Sequence, residues 1–133
     1  MSVDNIKGLA HVGFFVRDIE VSKKFYTDIL GFQCVFERTE PGPGGSTVII
    51  SFMRNQDAMF EMICVPGMDL PKDGCFQHFA MRVENIEEAQ KKLEVLGVRT
   101  DPLVYSKETF SNGAKWVTFL GPDGEHLEIT EVL

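Results

Sequence analysis

The chain has 133 residues and a net charge of −7, with 13 Lys and Arg against 20 Asp and Glu. This length favours one compact domain, and the negative charge disfavours binding to nucleic-acid phosphates. No apolar run reaches the roughly 20 residues of a membrane span, the N-terminus lacks the pattern of a signal peptide, and three widely spaced cysteines predict no disulfide framework, so we expect a cytoplasmic protein that does not bind membranes.

The first half of the chain predicts a strand, a helix and three further strands. An alternating pattern over 9–16 indicates the first strand, and a helix over 19–30 follows, with Asp18 as its N-cap and Gly31 as its stop. The Gly- and Pro-rich stretch 40–46 predicts a mobile hairpin loop. The three further strands are predicted at 32–38, 47–53 and 58–65.

The second half predicts the same order of elements. A strand begins at Phe76, and a capping box of Asn85 and Glu88 opens a helix over 86–96. Neither half, at roughly 60 residues, buries a sheet face well alone, so we expect the halves to pair. The predicted organisation is a single domain with a first module at 7–65, a linker at 66–75 and a second module at 76–133. The three further strands of this half are predicted at 98–100, 115–120 and 126–132.

A sequence repeat links the two halves. His11 and His78 are 67 positions apart, and the same offset separates Glu61 from Glu128. Each half therefore runs from a His to a Glu fifty positions later, which chance pairing would seldom produce twice. His126 and Glu131 have no counterpart of their own type at this offset, so we interpret them as surface residues.

Strand alternation predicts where these four side chains point. Residues such as Phe14, Phe60 and Leu127 share the face that packs against a helix, which leaves the repeated His and Glu residues on the opposite face. Two imidazoles and two carboxylates suit a divalent ion such as Ni, Zn, Co, Mn or Fe. We therefore predict a metal site of His11, Glu61, His78 and Glu128, in which Glu61 or Glu128 acts as the general base.

Several motifs carry a resemblance to a known family. They are HVGFFVRD at 11–18, FYTDILGF at 25–32, FEM at 60–62, HFAMRV at 78–83 and FLGPDGEHLE at 119–128. Over essentially its whole length the chain resembles the vicinal oxygen chelate superfamily, which includes glyoxalase I and methylmalonyl-CoA epimerase. The resemblance implies an α+β fold of two tandem βαβββ modules, with a curved mixed sheet enclosing a metal site, often in a homodimer. The four predicted ligands match the family's ligand positions.

Residues near the four predicted ligands indicate which substrates the site accepts. Glutathione-binding bacterial members of the family carry Arg and Asn where this chain has Phe15 and Val65, which argues against glutathione because its carboxylates would lose their partners. Arg82 shares the face of His78 and is a candidate contact for an anionic substrate. With Phe52 and Met59, Phe15 is predicted to line an apolar substrate pocket.

Three functions stay open on the sequence. We favour a metal-dependent lyase, isomerase or epimerase that moves a proton next to the chelated carbonyl of a small substrate. An Fe(II) dioxygenase would use His11, His78 and Glu128, but Glu61 would then occupy a position that oxygen or substrate needs. A metal-free dimer that binds small molecules or drugs is the third alternative, and the complete set of four ligands argues against it.

Overall fold

The computed structural model describes residues 3–5, 7–71, 73–74 and 76–133. The chain divides into two compact units, Met1–Met68 and Asp69–Leu133. Each unit contains a strand, a helix and three more strands, in the predicted order. Cys75, one of the three cysteines of the sequence, lies outside the described residues.

Unit 1 is a four-stranded mixed sheet with one helix. Its strands follow the order β1-β4-β3-β2, in which β1 runs parallel to β4 and the other neighbours are antiparallel. A 3₁₀ turn at Pro43–Gly45 lies within the predicted loop. The elements are β1 Val12–Phe15, α1 Ile19–Asp28, β2 Gln33–Pro41, β3 Thr47–Asn55 and β4 Ala58–Cys64.

The helix of unit 1 begins at its predicted N-cap and packs against the sheet through Tyr26. The Asp18 carboxylate accepts the backbone N–H groups of Glu20 and Val21 at 3.0 and 3.2 Å, which satisfies two donors at the helix start. Tyr26 on α1 is fully buried, with its ring 5.9 Å from that of Phe14 and 5.7 Å from that of Phe60. These two residues therefore lie on the helix-facing side of the sheet, which confirms the parity assigned to their strands.

Unit 2 repeats this topology. Its strands follow the order β5-β8-β7-β6, with β5 parallel to β8. The core contains Leu93 of α2 together with Val117, Leu127 and Ile129 of the sheet. Neither sheet closes on itself, since each ends in two edge strands. The elements are β5 Phe79–Arg82, α2 Ile86–Val95, β6 Val104–Ser106, β7 Ala114–Leu120 and β8 His126–Val132.

Two predictions for unit 2 were wrong. The strand expected at 98–100 is reduced to one bridge between Thr100 and Phe119, and the edge strand forms at Val104–Ser106. Pro102 lacks a backbone donor and restricts the residue before it, so pairing resumes only beyond it. Glu131 is half-buried, and its carboxylate accepts the N–H groups of Asn85 and Ile86 at 3.1 and 3.3 Å. It therefore caps α2 through the tertiary fold.

The two sheets differ by one residue in their last hairpin. Glu61 lies opposite Phe52, whereas Glu128 lies opposite Thr118. Thr118 follows Phe52 by 66 positions rather than 67, so the β7–β8 hairpin contains one residue more than the β3–β4 hairpin. The 67-residue repeat therefore holds for β1 and β5, for the two helices and for β4 and β8, but not for β3 and β7.

In the part of the chain that the structure describes, the helices are too short to cross a membrane.

Candidate metal site

Two of the four predicted ligands lie together in unit 1. His11 precedes β1, and Glu61 lies at the centre of β4, the neighbouring parallel strand. Nε2 of His11 is 3.8 Å from Oε2 of Glu61, and the two side chains are 41% and 21% exposed. The His11 ring meets Phe52 edge to face, with centroids 5.4 Å apart. The structure thus places the His11 and Glu61 side chains beside each other.

Unit 2 contains an equivalent pair. Nε2 of His78 is 3.7 Å from Oε2 of Glu128, with side chains 45% and 16% exposed. Nδ1 of His78 lies 2.7 Å from Oε1 of Gln77, and the Thr130 hydroxyl donates to Oε1 of Glu128. These contacts orient an imidazole and a carboxylate from outside the pair.

Gln77 and Thr130 were not among the predicted site residues. Thr130 could have been found by alternation, because it lies two positions after Glu128 on the same face of β8. Gln77 immediately precedes His78 in the sequence, and no periodic pattern singles it out. Its role depends on the side-chain conformation that the fold gives it.

The donor set of each pair fits a divalent metal ion. Each pair offers one imidazole nitrogen and one carboxylate, a combination that suits first-row metals. The histidine–glutamate separations of 3.7 and 3.8 Å exceed hydrogen-bond length, so the Nε2 and Oε2 atoms are not tied to each other. Within either unit, the described residues contain no group of three or more His, Cys, Asp or Glu side chains that could hold an ion. Each unit therefore supplies two candidate ligands.

A cavity of about 520 Å³ adjoins the pair of unit 2. Glu128 and Thr130 line it, as does Arg82, the predicted contact for an anionic substrate. Trp116 and Phe110 also line it, and the sequence analysis did not select either residue. The repeat could not identify Trp116, because β7 is shifted by one residue and the 67-residue offset matches Trp116 to the wrong residue of β3.

The three predicted pocket residues of unit 1 lie near its His–Glu pair or along the same strands. Phe52 contacts His11, and its ring centroid is 6.1 Å from that of Phe36. Phe15 is 46% exposed at the end of β1. Met59 is half-buried and precedes Glu61 by two positions on β4, so the two share a face.

His126 differs from the two repeated histidines. Its Nε2 atom lies 3.1 Å from Oδ1 of Asp73, and both side chains are at least 40% exposed. This contact is a surface ion pair when the imidazole is protonated, and such pairs contribute little to stability.

Comparison with known proteins identifies the family. The sequence model of the Glyoxalase/Bleomycin resistance protein/Dioxygenase superfamily matches residues 8–129. The chain belongs to this superfamily. That assignment confirms the resemblance to the vicinal oxygen chelate proteins and the tandem βαβββ fold.

Several known proteins are similar to this chain over nearly their full length. YwbC, an uncharacterized protein of Bacillus subtilis, is 27% identical over 122 residues, which cover 92% of this chain and 95% of YwbC. A solved glyoxalase family protein from Enterococcus faecalis has a TM-score of 0.78 at 26% identity, covering 94% of this chain and 98% of that one. FosX, a fosfomycin resistance protein of Listeria monocytogenes solved with Mn(II) and sulfate, shares the fold, with a TM-score of 0.70 at 16% identity over 96% and 94% of the two chains.

Proposed function

We propose that this member of the superfamily is a metal-dependent enzyme in which His11, Glu61, His78 and Glu128 ligate one divalent ion. The observation that carries the proposal is the duplicated His–Glu pair, whose members lie 3.8 and 3.7 Å apart at equivalent places in two units. An isolated His or Glu on a strand is usually a solvated residue. Two His–Glu pairs at equivalent positions favour a common function, which we propose is metal binding.

The fold and the donor chemistry support a divalent metal. FosX, which shares the fold, was solved with Mn(II). Mixed imidazole and carboxylate ligands accept Ni, Zn, Co, Mn or Fe, so the identity of the ion is a matter for experiment. Gln77 and Thr130 support the assignment, because ligand histidines and carboxylates are commonly held by such outer contacts.

The reaction we propose is the transfer of a proton at a carbon next to a carbonyl, as in a lyase, isomerase or epimerase. A divalent ion, when bound, would polarise the substrate oxygens and make the neighbouring C–H more acidic. Glu61 or Glu128 removes and returns the proton as general base. Thr130 donates to one oxygen of Glu128 and so fixes the orientation of this carboxylate.

The partner we propose is a small molecule other than glutathione. Phe15 and Val65 are apolar at the positions where glutathione-binding members carry Arg and Asn, and buried carboxylates without partners are costly. We also propose that the two units act as one domain and that the chain forms a homodimer, as the family resemblance implies. Analytical ultracentrifugation tests the homodimer directly.

Metal stoichiometry tests the site. The purified full-length chain is reconstituted separately with Ni, Co, Zn, Mn and Fe(II) and then analysed by mass spectrometry, beside His78→Ala and His126→Ala. We expect about one ion per chain in the parent and in H126A, and loss of the ion in H78A, because only His78 is a proposed ligand. Failure of well-folded protein to bind any of these metals would overturn the proposal and favour a metal-free binding protein.

Hydrogen exchange tests the reaction. The loaded protein is incubated in deuterated water with 2-oxo acids and acyl thioesters, and deuterium at the carbon next to the carbonyl is followed by NMR. We expect exchange to fall in both Glu61→Gln and Glu128→Gln, because both residues are proposed ligands and one of them is the proposed base. A protein that binds metal but exchanges no hydrogen in these substrates would contradict the proposed reaction and leave the metal site standing.

A further inference from the structure

The cavity of unit 2 has the size and position of a small-molecule site. Its volume is about 520 Å³, and it lies on the face of the sheet that carries Glu128. Pockets of roughly 300–1,000 Å³ are typical of sites for small ligands. The lining consists of Ala80, Arg82, Thr109, Phe110, Ala114, Trp116, Glu128, Thr130 and Val132.

Arg82 supplies a positive charge to this cavity. Among the described residues that line it, Arg82 is the one cation, and no hydrogen bond or ion pair within the described part of the chain engages its guanidinium. Thr130 lies directly opposite on β8. A guanidinium offers a planar fork of donors that matches the two oxygens of a carboxylate. The chain as a whole has a net charge of −7 and so repels anions. An organic anion therefore needs a local positive group such as Arg82 in order to bind.

Two aromatic side chains form apolar walls of the cavity. Trp116 lies on β7 opposite Thr130, and Phe110 belongs to the loop between β6 and β7. Phe110 is 67% exposed and has a φ of +58°, a left-handed conformation that is uncommon for a bulky residue. Aromatic rings pack well against a flat apolar group, through their faces or edges.

The repeat indicates that Arg82 is not a structural requirement of the module. Phe15 occupies the equivalent position of unit 1, 67 residues earlier, and there the strand carries no charge. Thr130 likewise corresponds to Ile63. The same positions of the fold therefore accept apolar side chains. Folding alone does not require Arg82 and Thr130 in unit 2, so we assign them a role in binding.

We propose that the cavity of unit 2 binds the carboxylate of a substrate that also carries a flat apolar group, and that Arg82 determines this specificity. The carboxylate lies against the guanidinium of Arg82, and the apolar group packs against Trp116 and Phe110. The inference rests on the proposed function for its link to catalysis, because Glu128 lines the same cavity. It deepens that function by naming the substrate class.

The chain contains its own reporter of cavity occupancy. Trp116 is the sole tryptophan of the sequence, so changes in tryptophan emission arise in this cavity. The full-length protein is titrated with 3-phenylpropionate and with its neutral counterpart 3-phenylpropanamide. We expect the carboxylate to bind about tenfold more tightly than the amide, since a charge-assisted bidentate contact is lost in the amide. Trp116→Phe should lose the signal.

Substitutions of arginine identify the source of the preference. Arg82→Gln should bind the two probes equally, and Arg82→Lys should keep part of the preference because it retains the charge without the planar fork. Arg99→Gln removes the same charge from an exposed position of unit 2 outside the cavity, so it should behave as the parent. Circular dichroism checks that each variant is folded. Equal affinities in the parent, or an unchanged preference in folded R82Q, would overturn the proposal.

Manganese separates this inference from the metal proposal. If Glu128 ligates Mn(II), addition of the ion offsets the carboxylate charge in the cavity, and 3-phenylpropionate should bind more tightly. An Arg82-dependent preference that Mn(II) does not change would support the carboxylate site and count against Glu128 as a ligand. A Mn(II)-binding protein with no preference between the probes would contradict the carboxylate site alone.

Discussion

Nδ1 of His78 lies 2.7 Å from Oε1 of Gln77. When Nδ1 carries the ring proton it donates to this oxygen, and the lone pair of Nε2 is then free on the side of Glu128. Outer contacts of this kind set the orientation of ligand histidines in metalloproteins. Gln77, which immediately precedes His78 in the sequence, thus orients this proposed metal ligand of unit 2.

Replacement of Gln77 should weaken metal binding. In Gln77→Ala the His78 ring loses its acceptor, and we expect the dissociation constant for Mn(II) or Ni(II) to rise roughly 10- to 100-fold. Isothermal titration calorimetry measures it. Gln77→Glu keeps an acceptor at this place and should bind at least as tightly as the parent. An unchanged affinity in Q77A would show that the contact does not orient a ligand.

Thr130 should act in the same way on Glu128. Its hydroxyl donates to Oε1 of Glu128, and Thr130→Val removes the donor with little change of shape. We expect weaker metal binding, by roughly tenfold or more, because the carboxylate loses the contact that fixes its direction. Thr130→Ser retains the hydroxyl and should bind like the parent. Equal affinities of T130V and T130S would contradict this role.

Gly113 should tolerate alanine poorly. It has a φ of +93°, and a Cβ there would lie 2.9 Å from the Ser106 carbonyl oxygen and 3.2 Å from Lys107 Cα. Gly124 also has a positive φ, +81°, but a Cβ there meets nothing within 4 Å. We expect Gly124→Ala to cost about 1–2 kcal/mol of unfolding free energy, from the left-handed conformation alone.

Gly113→Ala should cost more than Gly124→Ala, because its methyl group also displaces backbone atoms. Overpacking of this kind adds about 1–3 kcal/mol. Urea denaturation of the two variants measures the difference. The displaced loop carries Phe110, so the affinity of G113A for 3-phenylpropionate should fall as well. Equal stabilities of the two variants would mean that the loop shifts at no cost.

Low pH should lower the unfolding free energy of unit 1, because the Glu37 carboxylate becomes protonated. Its carboxylate accepts hydrogen bonds from Lys23 Nζ at 2.8 Å and from Ser51 Oγ at 2.6 Å, and Lys23 and Ser51 hold the pKa of Glu37 below its ordinary value of 4.5. The folded state thus binds this proton less readily than the unfolded chain. The stability from Glu37 is complete above about pH 4.5 and is lost as the pH falls through the folded-state pKa.

Glu37→Gln should therefore flatten the dependence of unfolding free energy on pH below about 4.5. Denaturant titrations across the acid range measure this slope. Glu40→Gln removes an exposed carboxylate that pairs with Arg38 at 2.7 Å, and surface pairs of this kind contribute little, so it should resemble the parent. A slope that E37Q leaves unchanged would show that Lys23 and Ser51 do not stabilise the charged form.

The sequence predicted most of the architecture because its signals are local. Capping by Asp18 and Asn85 fixed the starts of both helices, and alternation along β4 and β8 placed Glu61 and Glu128 opposite the helix-packed residues. The false strand at 98–100 shows the limit of such signals. Its residues have strand-like composition, but pairing depends on the strand available beside them, which composition does not contain.

The sequence by itself determined the duplication, the family and the four candidate ligands, because a 67-residue repeat of His and Glu can be read without coordinates. The tertiary structure decided the neighbours of those ligands. One additional residue in the last hairpin changes the register of β7, so that Thr118 lies opposite Glu128 and Trp116 lines the cavity. Register between distant strands is set by hydrogen bonding and packing across the sheet, and a one-residue shift reverses which side chains share a face.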